Sequence, residues 1–215
     1  KIDDTTCAVM MELIQGEGGV LPLDKEFVKK VETICNEKDL LLIIDEVQTG
    51  IGRTGSLFCF QQYDIKPDVV TMAKGLGGGV PIGAVMASKK CCDVLGVGMH
   101  ATTFGGTPTV CAAANAVLDI VNNDEFLAEV NKKGEYIKQG ILAIGSDKIT
   151  DVRGMGLMIG IIVDAVKRAE YVNECIANGL LVLTAGTNTI RLLPPLTISY
   201  EELDEAISIF KKVFA

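Results

Sequence analysis

Residues 40–44 read Leu-Leu-Leu-Ile-Ile and are closed by Asp45 and Glu46. A strand with one wet face alternates polar and apolar residues, whereas a run apolar at every position is covered on both faces, as central strands of parallel sheets are. Residues 7–13 form an earlier apolar run that ends in glycine-rich sequence, and Val69–Met72 and Ala84–Ala87 are shorter runs of the same kind. Between the first two runs, Asp24 opens a helix whose Phe27, Val28, Val31 and Ile34 fall on one face. Strand, helix and strand in this order predict an α/β fold with a parallel or mixed sheet.

The second half is patterned differently. An alanine-rich helix is expected from Pro108 to about Asn122, and another through Phe126, Leu127, Val130, Ile137 and Ile141. A strand at 157–163, a helix at 164–178, strands at 180–183 and 189–193 and a final helix follow. Ser199 with Glu202 three residues on is a capping box, and Leu203, Ile207, Phe210 and Val213 form that helix's core stripe. The boundary falls near residue 120, giving domains of 1–120 and 121–215.

With 48% apolar and 22% charged residues in 215, the chain can bury a core of its own. Its net charge of −8, with no run of lysine or arginine, argues against a nucleic-acid or anionic-membrane surface. No apolar stretch reaches the roughly 20 residues of a bilayer span, and the polar start is no signal peptide. Seven cysteines without a CxxC pair or neighbouring histidine suit reduced thiols better than zinc. The chain reads as soluble, unexported and cytoplasmic. It opens without methionine, in the lead-in to a strand, which suggests a fragment or a processed chain.

Several residues could carry chemistry. Asp45 and Glu46 stand at the carboxyl end of the clearest strand, where open α/β sheets bind ligands, although two strand-end acids facing water would look the same. Twenty-nine residues after Asp45, Lys74 begins Lys-Gly-Leu-Gly-Gly-Gly. A lysine held in such a loop can act as an amine nucleophile, and glycines let backbone approach a ligand; the bland alternative is a turn with a solvated lysine. Thr102, Thr103, Gly105 and Gly106 precede a helix start and could bind an anion, with His100 ordering the loop, or could be an ordinary helix entry. Arg191 lies on an apolar strand and needs a carboxylate, for which Glu12, at the end of the first strand, is a candidate. Gly154, Gly156 and Gly160 do not fit a dinucleotide loop, being placed before or within a strand.

The order and wording of five segments resemble the class III, pyridoxal-phosphate-dependent aminotransferases. They are Glu12-Leu13-Ile14-Gln15-Gly16-Glu17-Gly18-Gly19, the stretch from Asp45 through Thr49-Gly50 to Gly52-Arg53-Thr54-Gly55, Ala73-Lys74-Gly75-Leu76, Thr103-Phe104-Gly105-Gly106, and Arg191-Leu192-Leu193-Pro194-Pro195-Leu196. The resemblance implies a fold-type I transferase, with an incomplete large-domain sheet and a small α+β C-terminal domain. It implies pyridoxal 5'-phosphate as cofactor and a homodimer with shared active sites. Lys74 would be the amine that joins the cofactor and moves the proton. Asp45 would pair with the ring nitrogen, Glu46 would belong to the same cofactor-binding element, Val47 would pack on the ring and Gln48 would reach its phenolic oxygen. Thr103 would hold the phosphate across the dimer interface, with Thr102 near the substrate.

Arg191 would take the α-carboxylate of glutamate or 2-oxoglutarate, and Glu12 would neutralise it when an amine donor is bound. Leu183-Thr184-Ala185-Gly186 is worded like the branch acting on N-acetylornithine, with ornithine and 4-aminobutyrate branches as relatives. Departures fall at Leu13, Thr107 and Thr102, where the family usually has proline, asparagine, and serine or glycine. Family members are nearly twice as long, so the resemblance implies a fragment with little activity alone. A non-catalytic remnant of the fold and, as a minor reading, a glutamate-semialdehyde aminomutase are the alternatives.

Overall fold

In the computed structural model, which describes residues 2–215, the apolar runs become neighbouring strands. β1 (Ala8–Glu12) is followed by the short antiparallel pair β2 (Ile14–Gln15) and β3 (Leu21–Pro22), then by α1 (Lys25–Glu37) and β4 (Leu41–Asp45). After α2 (Phe60–Tyr63) come β5 (Val69–Met72), a 3-10 turn at Lys74–Gly77, β6 (Ala84–Ala87) and α3 (Pro108–Val121). The chain divides into two compact units. One holds residues up to Leu13 with Leu23–Ile51 and Ser56–Asn123; the other holds Ile14–Pro22, Gly52–Gly55 and Asp124–Ala215.

The sheet of the first unit has the order β1-β4-β5-β6, the first three strands being parallel. Leu42, Ile44 and Val70 are buried, as are Val28 and Cys35 of α1. Each such side chain withdrawn from water stabilises the fold by ~1.5–3 kcal/mol. Asp24 caps α1, its carboxylate accepting from Phe27 N at 2.8 Å. Of the stripe expected on that helix Val28 is buried, while Phe27 and Ile34 are exposed. Ala84–Ala87 departs further from expectation: β6 pairs antiparallel with β5 at the sheet edge, and all four of its residues are exposed. A four-residue run is too short for its pattern to separate a covered strand from an edge strand.

The second unit adds α4 (Asp124–Leu142), β7 (Ile149–Met155), β8 (Met158–Val163), α5 (Arg168–Ala177), β9 (Leu183–Ala185), β10 (Thr189–Leu192) and α6 (Tyr200–Phe214). Its antiparallel sheet has the order β7-β8-β10-β9, and every residue of β8 and β10 is buried. Ile159, Ile161 and Ile190 meet Ile137 and Ile141 of α4 and Leu203, Phe210 and Phe214 of α6 in one core. The expected capping box is present: Ser199 Oγ accepts from Glu202 N at 3.2 Å, and Glu202 accepts from Ser199 N at 2.8 Å. The strand expected at 180–183 begins later, at Leu183, with Leu181 exposed.

The glycines of 154–156 build a turn. Gly154 (φ 121°) and Gly156 (φ 52°) close the β7–β8 hairpin, and a Cβ on Gly156 would lie 2.7 Å from the Arg53 carbonyl. Gly134 brings α4 against the same turn, where a Cβ would stand 2.1 Å from the Gly156 oxygen. Among the described residues no helix is long and apolar enough to cross a membrane.

Candidate active site

Three parallel strands of the first unit end level with one another. Glu12, Asp45 and Thr71 are register partners across β1, β4 and β5, so their side chains share one face of the sheet. Asp45 Oδ1 accepts from Val47 N at 2.9 Å and from Thr71 Oγ1 at 3.2 Å. These bonds hold the half-buried carboxylate, while Oδ2 accepts none among the described residues. The neighbour Glu46 points the other way and is fully buried. It takes bonds from Thr49 Oγ1 and from Phe60 N, the latter at 2.8 Å, and burial raises its pKa against the lowering effect of those bonds. Expected to serve the cofactor, Glu46 instead fastens the turn after β4 to the start of α2, because strand alternation sends successive side chains to opposite faces.

Lys74 lies just past β5. Its backbone is left-handed, with φ 45°, a conformation costly for a residue bearing a Cβ and tolerated mostly where the surroundings or a function require it. The side chain is exposed and makes no hydrogen bond or ion pair among the described residues. It borders a cavity of about 560 Å³, together with Val80, Ile82 and the Phe104-Gly105-Gly106 segment. Thr102 Oγ1 accepts from Gly105 N at 3.1 Å, and a Cβ on Gly105 would stand 2.3 Å from Thr102 Cγ2, so this turn needs glycine there. His100, expected to order the loop, is exposed, and its side chain makes no hydrogen bond among the described residues; Thr102 supplies the order instead. Thr103 is exposed and outside the cavity lining, whereas Val47 and Gln48 are half-buried beside Asp45.

In the second unit Arg191 is buried, 6% exposed, and its Nη1 lies 2.7 Å from Glu17 Oε1. Glu12 was the carboxylate expected opposite it; this ion pair is made by Glu17, five residues further on in the loop between β2 and β3. Glu12 belongs to the row with Asp45, at the edge strand of the other sheet. A glutamate amid glycines (Gly16, Gly18, Gly19) was the available signal, since only a chain with little side-chain bulk lies close over a sheet. Arg53 donates from Nη1 to the carbonyls of Leu157, at 3.0 Å, and Pro194, at 2.6 Å, and burial lowers its pKa to about 10.

These residues fit an aldehyde cofactor with a pyridine ring. Among the described residues Lys74 offers an amine without an ion-pair partner and Asp45 an anchored carboxylate with an oxygen to spare, and Gly105 and Gly106 form a wall that a ligand can approach closely. Within the second unit by itself, Arg191 is a buried guanidinium whose carboxylate partner is 72% exposed.

The family model for class-III aminotransferases matches residues 1–214. The acetylornithine aminotransferase of Caldanaerobacter subterraneus subsp. tengcongensis is 48% identical over 216 residues, which is 100% of this chain and 55% of the relative. That of Bacillus subtilis is 48% identical over 209 residues, 97% of this chain and 54% of the relative. Among solved structures, the N-acetylornithine aminotransferase of Stenotrophomonas maltophilia K279a matches with TM-score 0.89 and 37% identity, over 96% of this chain and 56% of that one. The ornithine aminotransferase PY00104 of Plasmodium yoelii matches with TM-score 0.90 and 36% identity, over 97% and 56%. The chain spans about half the length of the curated relatives it matches. The agreement of a family match over residues 1–214 with these identities establishes that the chain belongs to the class-III aminotransferases.

Proposed function

We propose that the chain is the C-terminal part of an aminotransferase that moves the δ-amine of N-acetylornithine to 2-oxoglutarate, forming N-acetylglutamate 5-semialdehyde and glutamate. The observation that carries this reading is Lys74: an amine in a strained backbone, without an ionic partner, at a glycine-walled cavity one strand from Asp45. The substrate follows from relatives 45–48% identical that are acetylornithine aminotransferases. Such an activity would place the enzyme in arginine biosynthesis, in the cytoplasm.

Pyridoxal 5'-phosphate, when bound, supplies an aldehyde and an electron-withdrawing ring. Lys74 would hold it through its amine and would move the proton at the substrate carbon. Asp45 carries the negative charge that keeps a ring nitrogen protonated, with Val47 and Gln48 beside it. Thr103 would donate to the phosphate of a second subunit's site, and Thr102 would lie near the substrate. Arg191 takes the α-carboxylate of 2-oxoglutarate, and Glu17, in the role first expected of Glu12, neutralises it while the amine donor is bound. Glu46 is a scaffold residue. The exposed apolar residues Val94, Leu95, Val97 and Met99, close before Thr102, support a homodimer. The two units correspond in this reading to the rest of a cofactor domain and a small C-terminal domain.

Ornithine is the second amine donor to consider, because ornithine aminotransferases match with TM-score 0.90. Competing donors compared by kcat/KM in the full-length enzyme separate the two. The cofactor assignment is tested by borohydride trapping: the chain is incubated with pyridoxal phosphate, reduced and digested, and the modified lysine is located by mass spectrometry. A pyridoxyl group confined to Lys74 supports the assignment. Scattered or absent labelling, persisting when the chain is joined to the N-terminal part of a relative, refutes it. Little turnover is expected from the 215 residues alone, and normal turnover would refute their being a fragment.

A further inference from the structure

The strand pairing of the second unit puts two arginines on either side of a glycine. Gly160 of β8 is the register partner of Arg153 on β7 and of Arg191 on β10, so the three share one row and one face of the sheet. With no side chain at Gly160, the row is a trough with a guanidinium at each end. The Gly16–Val20 loop lies in it: a Cβ on Gly160 would stand 2.9 Å from Val20 Cβ and 3.0 Å from Thr189 Cγ2. Arg191 at one end holds the Glu17 carboxylate. Arg153 at the other end holds the same loop by its backbone, donating to the Gly19 carbonyl from Nη2 at 2.9 Å and from Nε at 3.3 Å. Gly186 N donates to the Glu17 carbonyl at 2.8 Å, so the loop backbone is tied at Glu17 itself and two residues beyond it.

We infer that Arg153 is a positioning residue for substrate selection: by fixing the loop backbone it sets how tightly Glu17 covers Arg191, and so the balance between amine donors and dicarboxylate acceptors. This rests on the reading above for what Arg191 binds, but the geometry of the clamp does not. With Gly19 held, the Glu17 carboxylate leaves Arg191 by rotation of its exposed side chain, without movement of the loop, and returns to the same place. With Gly19 released, the loop drifts, Glu17 competes less well, and Arg191 stands open more of the time. Lysine at 153 keeps the charge but loses the two-pronged grip on one carbonyl.

The test has two arms. In the chain itself, phenylglyoxal labelling of each arginine is followed by mass spectrometry in the parent, Arg153→Gln, Arg153→Lys and Gly160→Ala. Arg191 is expected to label roughly tenfold faster in Arg153→Gln, the factor that ~1.4 kcal/mol of lost bias gives, and by a smaller factor in Arg153→Lys. Gly160→Ala, whose Cβ would press on Val20 of the loop at 2.9 Å and on Thr189 at 3.0 Å, should also speed Arg191. Arg53, bound to carbonyls elsewhere in this unit, is the control: equal acceleration there means general loosening and overturns the inference, as does unchanged labelling of Arg191. In the full-length enzyme, Arg153→Gln should lower kcat/KM for the amine donor while tightening inhibition by glutarate. Proportionate losses in both overturn the inference. A parent enzyme that turns over no amine donor refutes the functional reading and leaves the labelling arm, which needs neither cofactor nor turnover, to decide on Arg153.

Discussion

Glu46 offers the sharpest test of how the candidate site is held. Its carboxylate is fully buried and accepts from Thr49 Oγ1, Phe60 N and Cys59 N, so Glu46→Ala removes the acceptor from one hydroxyl and two backbone donors at once. At ~1–3 kcal/mol for each buried donor left without a partner, and with the hydroxyl free to turn elsewhere, the loss should be about 3 kcal/mol. For a chain of this size that lowers Tm by roughly 6–12 °C. Glutamine keeps one oxygen for the two amides, and its NH₂ can donate to the Thr49 hydroxyl, so Glu46→Gln should cost about 1 kcal/mol or less. The two variants also differ from the parent in pH dependence. Burial raises the folded pKa of Glu46 above the ordinary 4.5. The stability it contributes is therefore fully present below that ordinary value and is lost as pH rises through the folded one. Thermal melts across the acid range should show the parent gaining on Glu46→Gln as the pH falls. Equal Tm values for the alanine and glutamine variants, or a parent that loses ground on acidification relative to glutamine, would refute this account of the residue as a buried anchor.

Two further outcomes follow from single residues. Tyr63, whose hydroxyl donates to the carbonyls of Leu13 and Leu23, has its pKa pushed up from 10.0 to about 12, mainly by burial. It stays neutral when folded while an unfolded tyrosine ionises, so stability should fall between about pH 10 and 12, and Tyr63→Phe should lose that dependence along with ~1–2 kcal/mol at neutral pH. At Lys74 the left-handed backbone makes glycine the better-fitting residue. Denaturant titration should find Lys74→Gly more stable than Lys74→Ala by ~1 kcal/mol, with neither variant trapping pyridoxal phosphate at that position.

What the sequence disclosed depended on how local the cause was. The run at 40–44, the Asp24 cap and the Ser199–Glu202 box rest on residues within a few positions of one another, and each is found in place. β7 had no such pattern: Asp151, Arg153 and Gly154 interrupt it, and it is a strand because β8 pairs with it throughout. The second unit's use of residues 14–22 and 52–55 was equally hidden. The bonds responsible, from Gly186 N to the Glu17 carbonyl and from Leu157 N to that of Arg53, join positions more than a hundred residues apart. Of the residues singled out for chemistry, the placement of Asp45 and Lys74 at strand ends of one sheet and of Arg191 on a buried strand of the other was legible from their local sequence. Direction was not. Whether Glu46 faces a ligand or the interior depends on the pleat, and whether Glu12 or Glu17 reaches Arg191 depends on a loop crossing a glycine on another strand.

The partners of the chain's four arginines bear on the proposal that Arg191 binds a substrate. Arg53 binds the Leu157 and Pro194 carbonyls, Arg153 that of Gly19, and Arg168 those of Ala185 and Gly186. A carbonyl belongs to the backbone, and displacing it moves a strand or a turn, so no small molecule competes for these guanidinium groups at modest cost. Glu17 is different, because the partner it offers is a side chain that is 72% exposed and can rotate into water, while the guanidinium it leaves is 7% exposed. A buried cation is best matched by a carboxylate, so the position Glu17 vacates favours another carboxylate over a neutral or cationic group. Exchange of Glu17 for a ligand carboxylate conserves the charge pairing and leaves the backbone in place. Such a site would accept two chemically unlike partners in turn, one bringing its own carboxylate and one for which Glu17 stays, which is the requirement of a reaction that takes an amine from one molecule and gives it to another.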